Sequence, residues 1–236
     1  MTCCLSAHQP AYLPWLGYFE KIARSDVFVY LDTVQFEKNS FINRNRIKSA
    51  QGPLWLTIPV LQKGHMSSTL QTLQTDETQP WREKHLKSIA LNYRKAPGFA
   101  DKFAKLEQLY DRTVVTLSDF CWQQLQFWLS ELGITTPLFR ASQLPVMGKK
   151  SDLILNLCLH QRADAYLSGK LGRDYLDEAA FAAHQIRVSY QDYQSPCYPQ
   201  LHGEFVPALG VIDLWMNSPV SLAGFFSGVV RHEFLR

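Results

Sequence analysis

The stretch Cys3-Cys4-Leu5-Ser6-Ala7-His8-Gln9-Pro10-Ala11-Tyr12-Leu13-Pro14-Trp15-Leu16-Gly17-Tyr18-Phe19-Glu20-Lys21-Ile22-Ala23, followed by Val27-Phe28-Val29-Tyr30-Leu31, decides the fold. Residues 3–7 are a short apolar run that predicts a buried strand. Residues 8–15 predict a loop, stiffened by Pro10 and Pro14 because the proline ring fixes φ. Leu16, Phe19, Ile22 and Ala23 recur at helical spacing, so residues 16–23 predict a helix. Residues 27–31 are a second compact apolar run, hence a second strand. Strand, loop, helix, strand is the rhythm of a parallel α/β sheet.

Outward from this unit, residues 55–60 predict a third strand. The middle of the chain reads as helical. Trp81, His85, Ile89 and Tyr93 step by four, and Pro97-Gly98 breaks that helix. Two more helices are expected at residues 99–109 and 114–132, with Gly133 placed to cap the second. The α/β rhythm then returns. A strand is expected at 137–139, a helix at 151–160 with Ser151 as N-cap, and a strand at 165–167. Helical residues at 181–184, a strand at 186–190 and a helix start at 211–216 follow. The expected architecture is a single α/β domain over residues 1–236. Residues 1–60 and 134–192 would supply one parallel sheet, and a helical insertion would occupy residues 78–132.

Composition supports a globular chain and narrows its partners. Of 236 residues, 46% are hydrophobic and 19% charged, enough apolar mass for a core and too much for wholesale disorder. The net charge of +3 is small and its lysines and arginines are dispersed, which argues against nucleic acid as the partner. No apolar run approaches about 18 residues, so no membrane span is expected. The five cysteines form no CxxC pair, which predicts free thiols and a cytoplasmic location. Cys121 and Cys158 sit among apolar residues and read as core. No Cys/His pair has zinc-ligand spacing. Asp32 or Asp174 could hold a divalent cation, but no carboxylate cluster demands one, and no motif names a cofactor.

Four segments carry candidate chemistry. The first is His8-Gln9 with Tyr12, Trp15 and Tyr18, on the loop that leaves a strand and opens a helix. Ligands of open α/β sheets bind beyond the carboxyl ends of strands. His8 would be a general base or anion donor, with a pKa near ambient pH if its surroundings are neutral. Tyr12 and Trp15 would form a stacking wall, unless these rings only cap the sheet edge. The second is Asp32 together with Asn43-Arg44-Asn45-Arg46-Ile47-Lys48. Asp32 would orient His8 or the substrate. Arg44, Arg46 and Lys48 on one face of an extended segment would suit phosphate, or would be the charges of a solvated edge strand. The third is Ser168-Gly169 through Arg173-Asp174, a glycine-bearing turn after a strand that could cradle an anion. It lacks the spacing and the GK[ST] ending of a P-loop. The fourth is residues 195–207, followed by Asp213; it carries Tyr198 and Gln200, and its His202 and Glu204 could form an acid/base pair. His85 and His160 read as packing or helix-surface residues.

Beside these motifs stands a family resemblance. His8-Gln9-Pro10, Tyr12-Leu13-Pro14-Trp15 and Gly17-Tyr18-Phe19 resemble the WbqC-like protein family. So do Asp32, Gln35-Phe36, Asn43-Arg44, residues 55–60, Tyr166-Leu167-Ser168-Gly169, residues 172–176, Tyr198-Pro199-Gln200, Phe205-Val206-Pro207 and Asp213-Leu214. The resemblance implies a setting in O-antigen, other surface-polysaccharide or modified-sugar biosynthesis, and fixes no reaction. The strand, loop and helix start also resemble a HUP/nucleotidyltransferase-like core, in which a His-x-Gly-His segment holds nucleotide phosphates. Here Trp15 and Tyr18 stand in place of its two histidines, which argues against ordinary nucleotidyl transfer. The function expected is a group-transfer enzyme acting on an activated or amino sugar, of acyl, aminoacyl or nucleotidyl type. The alternative is a non-catalytic accessory protein that binds a small molecule or a partner of such a pathway.

Overall fold

The structure is a computed structural model that describes residues 2–61, 69–111 and 114–229. In chain order its elements are β1 (Cys4–His8), α1 (Leu16–Ala23), β2 (Val27–Tyr30), β3 (Arg44–Ser49), β4 (Gly52–Thr57), α2 (Trp81–Tyr93), α3 (Phe99–Asp111), α4 (Leu117–Leu132), β5 (Leu138–Arg140), α5 (Lys150–His160), β6 (Ala165–Ser168), α6 (Glu178–Ala183), β7 (Arg187–Tyr190) and α7 (Val211–Asn217). Short 3-10 turns follow β5 and β6, at Ala141–Gln143 and Lys170–Asp174.

Five strands form one sheet in the order β5-β2-β1-β6-β7, with every pairing parallel. The chain lays β2 and β5 on one side of β1, then returns to lay β6 and β7 on the other. The direction of winding therefore reverses between β1 and β6. That is a topological switch point, where the connections after two adjacent strands part and leave a crevice beyond their carboxyl ends.

The sheet is covered on both faces, which is why its strands read as compact apolar runs rather than as strict alternation. Leu5, Ala7, Val29, Leu31 and Tyr166 pack with Leu157 and Cys158 of α5 and Phe181 of α6. Phe28 and Tyr30 pack on the other side with Leu16, Phe19 and Ile22 of α1 and with residues of α2, α3 and α4. The Tyr30 hydroxyl donates to the Ser118 carbonyl at 2.8 Å, tying β2 to α4. Cys121 and Cys158 are buried in these two cores, and all five cysteines are free. No described helix is long and apolar enough to cross a membrane.

Three local expectations are corrected. The strand expected at residues 55–60 does not join the parallel sheet. Residues 52–57 form β4, which pairs antiparallel with β3 as a separate hairpin. The reason lies in β3, where Asn45 and Ile47 turn inward while Arg44 and Arg46 stay half-exposed, the pattern of a ribbon with one buried face. Ser151 does not cap α5, which starts at Lys150. The Ser151 hydroxyl instead accepts the Asp177 N–H at 2.9 Å, just ahead of α6. Finally, α4 begins at Leu117 rather than near 114, because Thr116 is its N-cap and accepts from the Asp119 N–H at 3.1 Å. At its other end Gly133 adopts φ 67°, the left-handed cap read from the sequence.

Candidate functional site

His8 is the last residue of β1, so it stands at the switch point. Its Nδ1 donates to the Gln9 carbonyl at 3.0 Å. A carbonyl only accepts, so the proton of the neutral ring sits on Nδ1 and Nε2 carries the lone pair. The ring packs edge-on against Trp15 (centroids 5.6 Å) and Tyr18 (4.8 Å). Its pKa is pushed down to about 3, by burial first and by the neighbouring Lys21 ammonium second. His8 is therefore neutral at pH 7. A pKa near ambient pH is the expectation for neutral surroundings, and burial beside Lys21 does not provide them.

Lys21 is the residue that sequence reading missed. It lies on α1, under the sheet, and is 2% exposed. Its Nζ donates to the Ala7 carbonyl at 3.0 Å. Burial pushes its pKa down to about 7, against a smaller opposing pull from Glu20. In sequence it looks like an ordinary helix-surface lysine, and only the packing of α1 on β1 turns it inward.

The loop of residues 9–15 is held rigidly. Asn45 Nδ2 donates to the Leu13 carbonyl at 2.6 Å, and the Tyr12 N–H donates to the Ile42 carbonyl at 3.1 Å. The Gly210 N–H donates to the Arg46 carbonyl, and the Val211 N–H to the Pro14 carbonyl. Leu13 sits at φ 45°, a left-handed conformation that costs a non-glycine residue about 1 kcal/mol and persists only where the surroundings enforce it. A Cβ on Gly210 would come within 2.9 Å of the Leu13 carbonyl, so this close approach needs glycine there.

The two rings expected to form a wall part company. Trp15 is half-buried and continues from His8 to Phe41, at 5.7 Å between centroids. Tyr12 is fully buried and points into the helical region. There its hydroxyl bonds His85 Nδ1 at 2.8 Å and the Tyr110 hydroxyl. Tyr12 is thus a core residue, and His85 is its buried packing partner. Tyr18 is buried against His8, and its hydroxyl reaches the Gln9 carbonyl at 3.4 Å.

Asp32 does not orient His8. It is wholly buried beyond β2, and its oxygens are occupied elsewhere. Oδ2 accepts from Arg140 Nε at 2.8 Å and from the Ser142 hydroxyl at 2.6 Å, and Oδ1 accepts the Ser142 N–H at 2.9 Å. Arg140 also reaches Asp119 Oδ1 at 2.6 Å. This ion-pair network fastens the ends of β2 and β5 to α4.

On β3, Asn43 to Lys48 divide by role. Asn43, just before the strand, is buried and donates to the Ile58 carbonyl at 2.8 Å. Lys48 is also buried, with its Nζ held by Gln200 Oε1 at 3.1 Å and by the Glu204 carbonyl, so it is not a phosphate ligand. Arg44 and Arg46 remain at the surface with their guanidinium groups 4.5 and 5.6 Å from the Trp55 ring centre.

The side chains of the later segments are mostly engaged in contacts of their own. The Ser168 hydroxyl is turned into its own turn, where a Cβ on Gly172 would meet it at 1.9 Å. Gly169 faces open space, Arg173 stacks 4.0 Å over Tyr190, and Asp174 is exposed. Gln200 clamps its own loop through Val206. His202 Nε2 donates to the carbonyl of Asn92, in the last turn of α2, at 2.9 Å, so it is engaged with α2 and pairs with neither Glu204 nor His8. The Tyr198 and Tyr93 hydroxyls both donate to Asp213, at 2.9 and 2.6 Å, and burial raises that carboxyl's pKa. Among the described residues no three His, Cys, Asp or Glu side chains converge as a metal site.

A parallel α/β protein with a histidine packed among aromatic rings at its switch point is the class that this fold and site define. The chain belongs to the WbqC-like protein family, whose family profile matches residues 9–222, as the motifs of the first loop and of Tyr166 to Leu176 suggest. A relative from Mycobacterium tuberculosis (strain ATCC 25618 / H37Rv), the "Uncharacterized protein Rv1507c", is 36% identical over 211 residues, 89% of this chain and 91% of that protein. No solved structure matches.

Proposed function

We propose that this protein is a group-transfer enzyme acting on an activated or amino sugar in surface-polysaccharide or modified-sugar biosynthesis. The observation that carries the reading is His8 at the switch point with its Nδ1 tied to the Gln9 carbonyl; in the neutral ring this leaves Nε2 as the acceptor. The family's association with O-antigen clusters supplies the sugar. In the reaction, the acceptor's hydroxyl or amine attacks the electrophilic carbon or phosphorus of the donor. The attacking proton passes to His8 Nε2, and the donor's leaving group departs with the bonding electron pair. An anionic donor raises the basicity of His8 by the same Coulomb effect, reversed, by which Lys21 lowers it. We read the five-stranded sheet as a HUP/nucleotidyltransferase-like core, residues 78–132 as its helical insertion, and the free thiols as suited to the cytoplasm.

The test is turnover of purified protein on a panel of nucleotide-sugars with acyl-CoA esters and amino acids, read by mass spectrometry. His8→Ala is expected to lower turnover at least ~100-fold with unfolding temperature unchanged; a folded variant with full activity would sink the reading. A second reading, a non-catalytic binding module, is favoured by Trp15 and Tyr18 where nucleotidyltransferases carry two histidines. It expects ligand-dependent thermal stabilisation, about 2.7 kcal/mol at a hundred times Kd, with no product at all.

A further inference from the structure

The hairpin beside the crevice has features that the chemistry at His8 leaves unused. Phe41 and Trp55 are 41% and 43% exposed, and their ring centres lie 5.8 Å apart. They continue the aromatic series that starts at His8 and passes through Trp15. Burial would be the cheaper fate for rings of this size, and a contiguous exposed pair marks a contact surface.

Two guanidiniums flank that pair. Arg44 and Arg46 are two positions apart on β3, about 7 Å along the strand. Arg44 donates to the Asn39 carbonyl at 2.5 Å, and Arg46 reaches the Ala208 carbonyl at 3.4 Å. Among the described residues neither has a carboxylate partner. Positive charge held in place by backbone and ring contacts, and left unneutralised, is complementary to an anion. A strand that used charge only to resist edge pairing would not need exposed aromatic rings packed beside it.

We propose that this hairpin holds the nucleoside diphosphate end of the donor. The base stacks on Phe41 and Trp55, and the diphosphate lies on Arg44 and Arg46. The sugar end then lies along Trp15 toward His8. The inference rests on the reading of an activated-sugar transferase, and it narrows the donor to a nucleotide-linked sugar. Stacking gives base affinity with little base selectivity, because every base offers a π-face. The guanidiniums supply the charge-assisted bonds that a free sugar cannot use.

Calorimetric titration of the full chain with ADP, GDP, CDP, UDP and inorganic pyrophosphate tests this. Phe41 and Trp55 are exposed and Arg44 and Arg46 half-exposed, so single alanine variants are expected to retain the fold, which thermal unfolding checks. At least one nucleoside diphosphate is expected to bind. Arg44→Ala and Arg46→Ala should each weaken it about tenfold or more. Phe41→Ala and Trp55→Ala should weaken it at least about fivefold while leaving pyrophosphate affinity within about twofold. Absence of nucleoside diphosphate binding, or hairpin variants that bind like the parent protein, would overturn the proposal. His8→Ala separates the two ideas. If it destroys turnover while the hairpin variants bind unchanged, the hairpin assignment alone fails. If nucleoside diphosphate binding follows the hairpin but His8→Ala keeps full turnover, the catalytic reading alone fails.

Discussion

Replacing Lys21 with methionine should remove a pH dependence that the wild-type fold carries. The Lys21 amine is 2% exposed, and its pKa falls from the ordinary 10.5 to about 7. Between those values the unfolded chain holds a proton that the folded chain has released. Stability therefore rises with pH across that window, and falls back as pH drops toward 7. The full difference is on the order of 5 kcal/mol, and between about pH 7 and about pH 8.5 it is roughly 1.5 kcal/mol. Methionine matches the lysine stem in length and cannot titrate, so Lys21→Met should lack this rise. Urea unfolding followed by tryptophan fluorescence at several pH values gives the two curves. Their difference cancels every other titrating group, including the buried thiols whose pKa values burial raises. Parallel curves for the two proteins would refute the reasoning and would mean that Lys21 stays charged in the fold. The same variant should raise the His8 pKa, because the Lys21 ammonium is the second cause of its depression.

Other expectations follow from single contacts. Burial lowers the pKa of His85 to about 4 and of His8 to about 3, so stability should be complete above about pH 6.5 and fall toward pH 4 as the unfolded chain takes up their protons; a flat urea midpoint from pH 7 to 5 would contradict this. Arg140→Ala leaves the buried Asp32 carboxylate without its cation and should cost about 3–5 kcal/mol, whereas a loss under about 1 kcal/mol would show that Ser142 alone suffices. Gly172→Ala places a Cβ 1.9 Å from the Ser168 hydroxyl and should destabilise by about 1–3 kcal/mol, with partial rescue by Ser168→Ala; an unchanged unfolding temperature would disprove the clash. Tyr12→Phe removes a buried hydroxyl shared with His85 and Tyr110 and should cost about 1–3 kcal/mol without altering ligand affinity, and a change in affinity at constant stability would return Tyr12 to the binding surface.

The sheet strands and α1 could be read from sequence because each is a short apolar run or a 3.6-residue period bounded by proline, glycine or polar residues. The doubly covered sheet makes those runs unusually clean. Trp55 to Val60 misled because β4 is equally apolar, and only pairing with Arg44–Ser49 removes it from the main sheet. In position, His8 ends a strand and Trp15 lies on the loop after it, as expected, and Arg44 and Arg46 lie on an extended segment. Tyr12 and Asp32 do not, since their direction is decided by partners 73 to 110 positions away, His85, Tyr110, Arg140 and Ser142. Local pattern carries no record of such contacts. Lys21 was hidden for the complementary reason, as a charged residue on a short helix is assumed to face water.

His8 can be observed directly by long-range proton–nitrogen NMR of the ring, which reports the protonated nitrogen and its titration. The expected spectrum is a neutral ring with the proton on Nδ1, unchanged from pH 7 down to about pH 5, and an Nε2 resonance that moves when a nucleotide-sugar is added. A ring that titrates near pH 6.5, or one that carries its proton on Nε2, would contradict the assignment of His8 as the neutral acceptor at the switch point.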